Sequence, residues 1–331
     1  MLKRFRTQCR SVLGIDLGPT AIRVIEMSCQ DEKPRIEAYA CQSLPSNLVE
    51  SANTNELSEI LRKLLSDLNS TAKHTAIALP DSIVITKTIQ LVDNLTDLEL
   101  EELVIHEANK SLIFSSEKIN IDFAVLGASS DFAGMLDILL VISKAENIDK
   151  RVNAISNAGL KVKLVELESH AIARAIGRLT SQNKVIGIIE LGNQFTRLCI
   201  IHNGRIIYTG EEALSNQQLF DAFQQTSIRQ NLRLEMDKSD SDWILLHVKR
   251  NLQFFFANFH YENIDQLYLA GEGANFIHLS KLIQEAVNIS TQVANPLNGL
   301  IVPNYLNVEE LTQLAPSFSV AMGLALRAIS C

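Results

Sequence analysis

The chain has 331 residues, of which 47% are hydrophobic and 21% are charged, and its formal net charge is −8 at pH 7. This length predicts about two domains, and the apolar content excludes a disordered chain or a coiled-coil rod. The acidic balance argues against a general nucleic-acid binder. The chain has no C-x-x-C pair, no signal peptide and no apolar run near the roughly 20 residues of a membrane-spanning helix, so we expect a cytoplasmic protein.

An internal repeat organises the chain. Residues 13–28 and residues 187–202 each predict an apolar strand that ends in an acidic residue and a Leu-Gly turn, and each continues into a second strand. A third strand follows each copy, and an Asn-Gly pair after residue 202 predicts a tight hairpin turn. The repeat predicts two duplicated domains that face each other. The matching positions are Ile15 with Ile189, Asp16 with Glu190, Leu17 with Leu191, Gly18 with Gly192, and Arg23 with Arg197.

Between the two copies, helices and strands alternate. Leucine spacing predicts an amphipathic helix over 57–68. Residues 83–160 then predict a strand-helix-strand-strand-helix unit inserted into the first domain, with a capping box at Thr96 and Glu99. We expect the last helix of this unit to stop at Gly159, because glycine readily adopts the left-handed conformation that follows a helix.

The rest of the chain predicts a similar alternation. The triplet Phe254-Phe255-Phe256 predicts core packing, with partner binding as the alternative. The last helix is rich in alanine and glycine, which permits close approach of another backbone. The predicted elements are strand Lys161–Glu166, helix Ser169–Leu179, helix Asn216–Gln225, helix Asp240–Tyr261, strand Gln266–Ala270, helix Phe276–Val287 and helix Phe318–Ile329.

Three glycine turns, each directly after a buried strand, carry the candidate chemistry. In two of them a carboxylate, Asp16 or Glu190, lies close to a glycine that allows a ligand to approach the backbone. Successive N–H groups in such turns bind anions, and the carboxylates suit Mg²⁺ or its waters. The third turn, residues 270–274, leaves room for a base or ribose. The pattern predicts a polyphosphate clamp, whereas the absence of a Walker A or G-x-G-x-x-G motif argues against P-loop and Rossmann sites.

Many segments resemble the PilM family of type IV pilus assembly proteins, which is related to FtsA within the actin-like ATPase superfamily. The most specific segments are Gln292–Pro296 and the Ala-Pro and Gly-Leu-Ala-Leu-Arg motifs within 315–327. The resemblance implies an α/β, actin-like fold of two ribonuclease-H-like lobes, with ATP and Mg²⁺ between them and a small α+β subdomain inserted in the first lobe. The other segments are Leu13–Gly18, Arg23–Glu26, Ile36–Tyr39, Ile121–Phe123, Val165–Glu168, Ile189–Gly192, His202–Gly204 and Leu269–Gly271.

The resemblance also implies domain boundaries. The first lobe comprises residues 1–82 and 161–180, and residues 83–160 form the inserted subdomain. The second lobe comprises residues 181–315, and a C-terminal helix within 316–331 returns toward the first lobe.

The same resemblance implies roles for individual residues. Asp16 and Glu190 are the implied metal ligands, and Glu168 is the implied residue that orients an attacking water; Glu166 lies in the same connecting segment. The implied nucleotide-binding residues are Gly18, Pro19, Thr20 and Arg23 in the first turn, Gly192, Asn193 and Gln194 in the second, and Gly271, Gly273 and Ala274 in the third.

Several positions depart from the family pattern, among them Ala21, Arg23 and the bulky pair Asn193-Gln194. Pro19 removes one N–H group from the first turn, because proline has no backbone donor. Glu190 replaces an aspartate, and Glu272 replaces a glycine and adds a negative charge near the nucleotide. Each change weakens hydrolysis more than it weakens the fold, so we expect ATP binding with at most weak ATPase activity.

The implied partner is a PilN-like inner-membrane protein. Its cytoplasmic N-terminal peptide would bind in a groove between the first lobe and residues 83–160, and other pilus platform proteins would join the assembly. The chain would thus reach the inner membrane through partners, without direct membrane insertion and without nucleic acid. The alternatives are a nucleotide-independent scaffold of the same fold, an FtsA-like division protein and a small-molecule kinase of the same superfamily.

Overall fold

A computed structural model describes residues 11–45, 48–50, 54–110, 118–129, 132–181, 183–192, 195–213 and 238–329. The chain divides into two compact units. The larger unit consists of Met1–Ala78 with Ala154–Cys331, and the smaller unit is Leu79–Asn153. The division into 1–82, 83–160, 161–180, 181–315 and 316–331 that the sequence suggested stays a prediction.

The first part of the chain forms a meander, a helix and a further strand. In the meander, the first two strands are almost wholly buried along successive residues, whereas the third is mostly half-buried. The helix places a leucine stripe on the core, as its spacing predicts. The elements are β1 (Val12–Leu17), β2 (Ala21–Gln30), β3 (Lys33–Ser43), α1 (Thr54–Asp67) and β4 (His74–Leu79).

The smaller unit has a three-stranded antiparallel sheet in the order β5-β7-β6, with its own small apolar core. The capping box is confirmed, because Thr96 and Glu99 hydrogen-bond to each other through side chains and backbone N–H groups. The predicted stop at Gly159 is also confirmed, since this residue has φ +92° just after the last helix. The elements are β5 (Val84–Val92), α2 (Asp97–Lys110), β6 (Ile119–Ala128), β7 (Met135–Lys144) and α3 (Ala145–Asn157).

The remaining elements build the second meander and the helices that accompany it. The hairpin turn at Asn203-Gly204 is confirmed by positive φ at both residues, 52° and 73°. The elements are β8 (Lys161–Leu167), α4 (Glu168–Gly177), β9 (Val185–Leu191), β10 (Phe195–His202), β11 (Arg205–Ala213), α5 (Lys238–Asn258), β12 (Gln266–Ala270), α6 (Leu279–Val287), β13 (Thr291–Val293), α7 (Val308–Leu314) and α8 (Ser319–Ala328).

The two sheets of the larger unit have the same strand order, which confirms the duplication. The first sheet is β3-β2-β1-β4-β8 and the second is β11-β10-β9-β12-β13. In each, the first strand of the meander pairs antiparallel with the second strand and parallel with a later strand. The ends of β1 and β9, with their acidic residues and glycines, therefore occupy equivalent places in the two sheets.

Helices α4 and α8 pack against each other and join the two sheets through one apolar core. Their approach depends on glycine. A Cβ atom on Gly323 would lie 1.8 Å from the carbonyl oxygen of Ala171, and one on Gly14 would lie 2.0 Å from that of Ala321. These distances are far below a van der Waals contact, so helix backbone lies directly against helix and strand backbone, as the small residues of α8 predict.

Some sequence-based predictions differ from the structure. Helix α6 begins at Leu279 rather than Phe276, because residues 272–275 form a short 3₁₀ turn and His278 has φ +64°. Of the phenylalanine triplet, only Phe255 is in the core; Phe254 and Phe256 are exposed, because α5 buries a single face against the second sheet.

The predicted helix Asn216–Gln225 lies outside the described residues. Among the residues described, no helix is long and apolar enough to cross a bilayer.

We expect Gly323→Ala to lower the free energy of unfolding by about 3 kcal/mol, because the added methyl group forces α8 away from α4. Urea unfolding followed by circular dichroism measures the change. Gly177→Ala is the matched control, since its Cβ would meet only the Ile201 side chain at 3.8 Å. In that helical position alanine should be neutral or stabilising by up to about 1 kcal/mol. Equal stability of the two variants would contradict the assigned role of Gly323.

Candidate functional site

A cleft opens in the larger unit where the turns after β1, β9 and β12 meet, and with the open solvent at its mouth it holds about 430 Å³ of empty space. The start of α4 and the segment that leads into α8 complete its walls. The repeated turns predicted from the sequence therefore do converge on one cavity.

Each meander places an arginine directly opposite its acidic residue. Asp16 on β1 pairs in register with Arg23 on β2, and Glu190 on β9 pairs with Arg197 on β10. Residues opposite each other on an antiparallel pair project their side chains on the same face. As a result, Arg23 Nη1 lies 3.5 Å from Asp16 Oδ2, and Arg197 Nη1 donates a 2.7 Å hydrogen bond to Glu190 Oε2.

Each arginine also binds a carboxylate from the opposite side of the cleft. Arg23, on the first sheet, donates through Nη2 to Glu272 Oε1 in the turn after β12 of the second sheet. Arg197, on the second sheet, donates through Nη2 to Glu168 Oε2 at the start of α4, 3.0 Å away. Two ion pairs therefore cross the cleft in opposite directions, and we call them the crossed ion pairs.

Arg197 is the more firmly held of the two arginines. It is 1% exposed, and beyond the two glutamates already named it donates to Glu211 Oε2 from Nε at 3.0 Å and from Nη2 at 2.7 Å. Its guanidinium carbon also lies 4.5 Å from the centroid of the Phe195 ring, within cation–π range. Three carboxylates and a ring therefore fix its orientation.

Burial raises the pKa of the carboxyl groups in the cleft. The pKa of Glu168 rises to about 8, chiefly through burial, while Arg197 opposes the rise and the negative charges of Asp16 and Glu190 add to it. The pKa of Asp16 is also raised by burial, against the attraction of Arg23. Glu168 therefore takes up a proton more readily than an exposed glutamate does, and its protonation would lessen the repulsion among the carboxylates.

Two of the glycines in the turns make close backbone contacts. Gly271 has φ +82°, and a Cβ atom there would lie 2.5 Å from the carbonyl oxygen of Leu191, so the third turn lies against the end of β9. Gly192 donates its N–H group to the carbonyl oxygen of Phe195 at 3.0 Å. This amide is therefore already engaged, and the second turn offers fewer donors to an anion than its sequence suggests.

The structure brings most of the predicted site residues to the cleft, although their chemical roles stay predictions. Thr20, Gly273 and Ala274 are buried nearby but do not line it, and Asn193 and Gln194 lie outside the described residues. The lining residues that the sequence predicted are Asp16, Gly18, Pro19, Arg23, Glu168, Glu190, Gly192 and Gly271.

Glu166 does not share the position of Glu168. It accepts hydrogen bonds from Arg174 at 2.7 and 2.5 Å and a further one from Arg327, so it ties α4 to α8. Glu166 and Glu168 were candidates of the same kind in the sequence. The start of a helix between them changes the direction of the side chains, and only Glu168 faces the cleft.

Sequence reasoning missed several residues of the site. Arg197 carried a usable signal, since it occupies the position of Arg23 in the repeat. Phe195, Ser317 and Val320 also line the cleft, and no local motif marks them. Within the described residues, no three His, Cys, Asp or Glu side chains are grouped so as to hold a metal ion.

Comparisons with known proteins agree with this architecture. A family model described as type IV pilus assembly protein PilM matches residues 14–329. The chain is similar to a solved structure of the PilM-PilN type IV pilus biogenesis complex, with a TM-score of 0.81, 21% identity, and coverage of 97% of this chain and 99% of that one. It is also similar to ethanolamine utilization protein EutJ from Carboxydothermus hydrogenoformans, with a TM-score of 0.54, 13% identity, and coverage of 98% and 92%. Together with the duplicated sheets, these likenesses confirm the predicted α/β, actin-like fold.

The raised pKa of Glu168 predicts a pH dependence of stability. Its folded pKa of about 8 exceeds the ordinary 4.5, so the folded state binds the proton more tightly than the unfolded state. The stabilisation is complete below about pH 4.5 and is lost as pH rises toward 8. We expect Glu168→Gln to reduce this loss of stability with rising pH, which urea unfolding at a series of pH values measures. Glu285→Gln, at an exposed helix position, should keep the wild-type dependence of stability on pH. The same pH dependence in Glu168→Gln as in wild type would contradict the assignment.

Proposed function

Because the chain belongs to the PilM family of type IV pilus assembly proteins, we propose that it joins the pilus assembly by binding the cytoplasmic N-terminal segment of a PilN-like membrane protein. The observation that carries this proposal is the family match over residues 14–329, nearly the whole chain. The similarity in fold to the PilM of a PilM-PilN complex supports it. The protein would thus act at the inner membrane through its partner, together with other proteins of the pilus platform.

The smaller unit offers surface features that suit an extended peptide. Strands β5 and β6 are the outer strands of its described sheet, and an outer strand can pair with an added peptide strand. Exposed apolar side chains, among them Ile85, Leu98 and Val125, lie on this unit. We propose that the PilN-like segment uses this surface. The groove between the first lobe and residues 83–160 that the sequence implied stays a prediction.

A binding experiment tests this partner proposal. A labelled synthetic peptide with the cytoplasmic N-terminal sequence of the neighbouring PilN-like protein is titrated with the full chain, and fluorescence anisotropy reports the Kd. We expect Val125→Glu to weaken binding by about ten-fold or more, since a charge would disrupt an apolar contact. Val308→Glu is the matched control, because this valine is similarly exposed (44% against 49%) on the larger unit.

The outcomes separate the two parts of the proposal. No binding of the peptide to the wild-type chain would contradict the PilN-like partner. Binding that Val308→Glu weakens and Val125→Glu leaves unchanged would instead contradict the use of the smaller unit.

We also propose that the cleft binds ATP with Mg²⁺. Asp16 and Glu190 supply carboxylate oxygens, the ligands that Mg²⁺ prefers, and Mg²⁺ would offset the charge of the phosphates. Arg23 supports the proposal, because its Nε atom is buried and has no hydrogen-bond partner among the described residues. Gly18 and Gly271 would leave space for the nucleotide beside the backbone.

The proposed activity is binding with at most slow hydrolysis. Glu168 is the candidate for orienting an attacking water, but burial raises its pKa to about 8 and its side chain already accepts a hydrogen bond from Arg197, so it is poorly placed to act as a proton acceptor. A nucleotide-independent scaffold is the second candidate. Two observations favour the scaffold. The backbone N–H of Gly192 already donates a hydrogen bond within its own turn, and both arginines already bind carboxylates through the crossed ion pairs.

Nucleotide titration decides between these two candidates. Fluorescent ATP is titrated with the full chain in the presence and absence of Mg²⁺. We expect Asp16→Asn to lose most of the Mg²⁺-dependent gain in affinity, about ten-fold, because one metal ligand loses its charge. Asp122→Asn, on the exposed face of β6, makes the same chemical change away from the cleft and should behave as wild type. No binding of ATP to the wild-type chain at roughly millimolar concentration would leave only the scaffold.

A further inference from the structure

Of the two crossed ion pairs, the one between Arg23 and Glu272 is incompletely satisfied. The two side chains are 7% and 9% exposed, and they meet through one nitrogen and one oxygen. Arg23 Nε and Glu272 Oε2 are both buried, and neither finds a hydrogen-bond partner among the described residues. A guanidinium and a carboxylate can join through two parallel hydrogen bonds, so this pair makes only part of the contact available to it.

We propose that Glu272 is a tethered anion: it occupies Arg23 in the ligand-free protein, and a phosphate group of a bound nucleotide must displace it. This proposal rests on the proposed nucleotide binding and adds to it a built-in competitor. The ligand class is a polyphosphate accompanied by a divalent cation, since an anion compensates the buried charge of an arginine that gives up a carboxylate partner.

The surroundings of the two partners indicate which of them moves. Arg23 lies on a central strand of the first sheet and keeps Asp16 as a second carboxylate partner. Glu272 lies instead in a 3₁₀ turn of four residues that follows a glycine with positive φ. A short turn can rotate its first side chain toward solvent at less cost than a strand can leave its sheet. Glu272 is therefore the side chain that moves when the ion pair separates.

A phosphate is the stronger ligand for Arg23. It carries more negative charge than a carboxylate and offers three acceptor oxygens, so it can engage both Nη2 and the unpartnered Nε. The exchange would remove one of the two ion pairs that cross the cleft. The other pair would remain, because Arg197 is held by three carboxylates and the Phe195 ring.

The test compares Glu272→Gln with Glu211→Gln in the full chain. Both substitutions remove one negative charge from a buried arginine, but Glu211 pairs with Arg197 within the second sheet and does not cross the cleft. Glu272→Ala is the second variant, used if the glutamine side chain prevents folding. Circular dichroism melting confirms that each variant is folded.

The first measurement uses no nucleotide. Hydrogen–deuterium exchange is followed at the third turn, where the N–H groups of Gly271, Ala274 and Phe276 are hydrogen-bonded. We expect faster exchange there in Glu272→Gln and wild-type exchange in Glu211→Gln. Unchanged exchange in Glu272→Gln would overturn the proposal, because the ion pair would then not hold the turn.

The second measurement is the Kd for ATP with Mg²⁺. We expect Glu272→Gln to bind about ten-fold more tightly than wild type, and Glu211→Gln to stay within about two-fold. If wild type binds and Glu272→Gln binds equally or less tightly, the tethered-anion role is wrong and nucleotide binding stands. If neither chain binds ATP, both the tethered-anion role and the proposed nucleotide binding are wrong, whatever the exchange shows.

Discussion

The contact of backbone with backbone at α8 sets the geometry on which the rest of the larger unit depends. Gly323 lets α8 lie against Ala171 of α4, and Gly14 lets β1 lie against the same helix near Ala321. No side chain larger than hydrogen fits at either glycine. The two sheets are thereby held at one fixed separation, around a single apolar core that takes residues from both.

The cleft follows from this packing. Helix α4 begins with Glu168, so the position of the helix decides where that carboxylate lies. The segment before α8 supplies Ser317 to the cleft wall, and the first turn of α8 supplies Val320. The carbonyl oxygen of Pro316 accepts a hydrogen bond from Gly271 in the third turn. The same two helices that join the sheets therefore also position the walls and one charged group of the candidate site.

Charge is the second constraint on the cleft. Five carboxylates contact two arginines there: Asp16 and Glu272 contact Arg23, and Glu168, Glu190 and Glu211 contact Arg197. Burial is the main cause of the raised pKa of Glu168, and the negative charges of Asp16 and Glu190 add to it. Such a cleft suits a ligand that brings a cation with its anionic groups. The described residues of the smaller unit take no part in this network and surround their own core, consistent with a separate role in partner binding.

The sequence by itself determined the elements and the repeat. The two β-meanders, the acidic residues at the ends of β1 and β9, the capping box at Thr96 and the stop at Gly159 all follow from interactions between residues close in the chain. Tertiary packing decided the full strand order of the two sheets, the pairing of Arg23 with Glu272 and the contact of Glu166 with Arg327. These features depend on residues far apart in sequence that meet only when the sheets pack. Periodicity and turn chemistry carry no information about such distances, because they record only local backbone preferences.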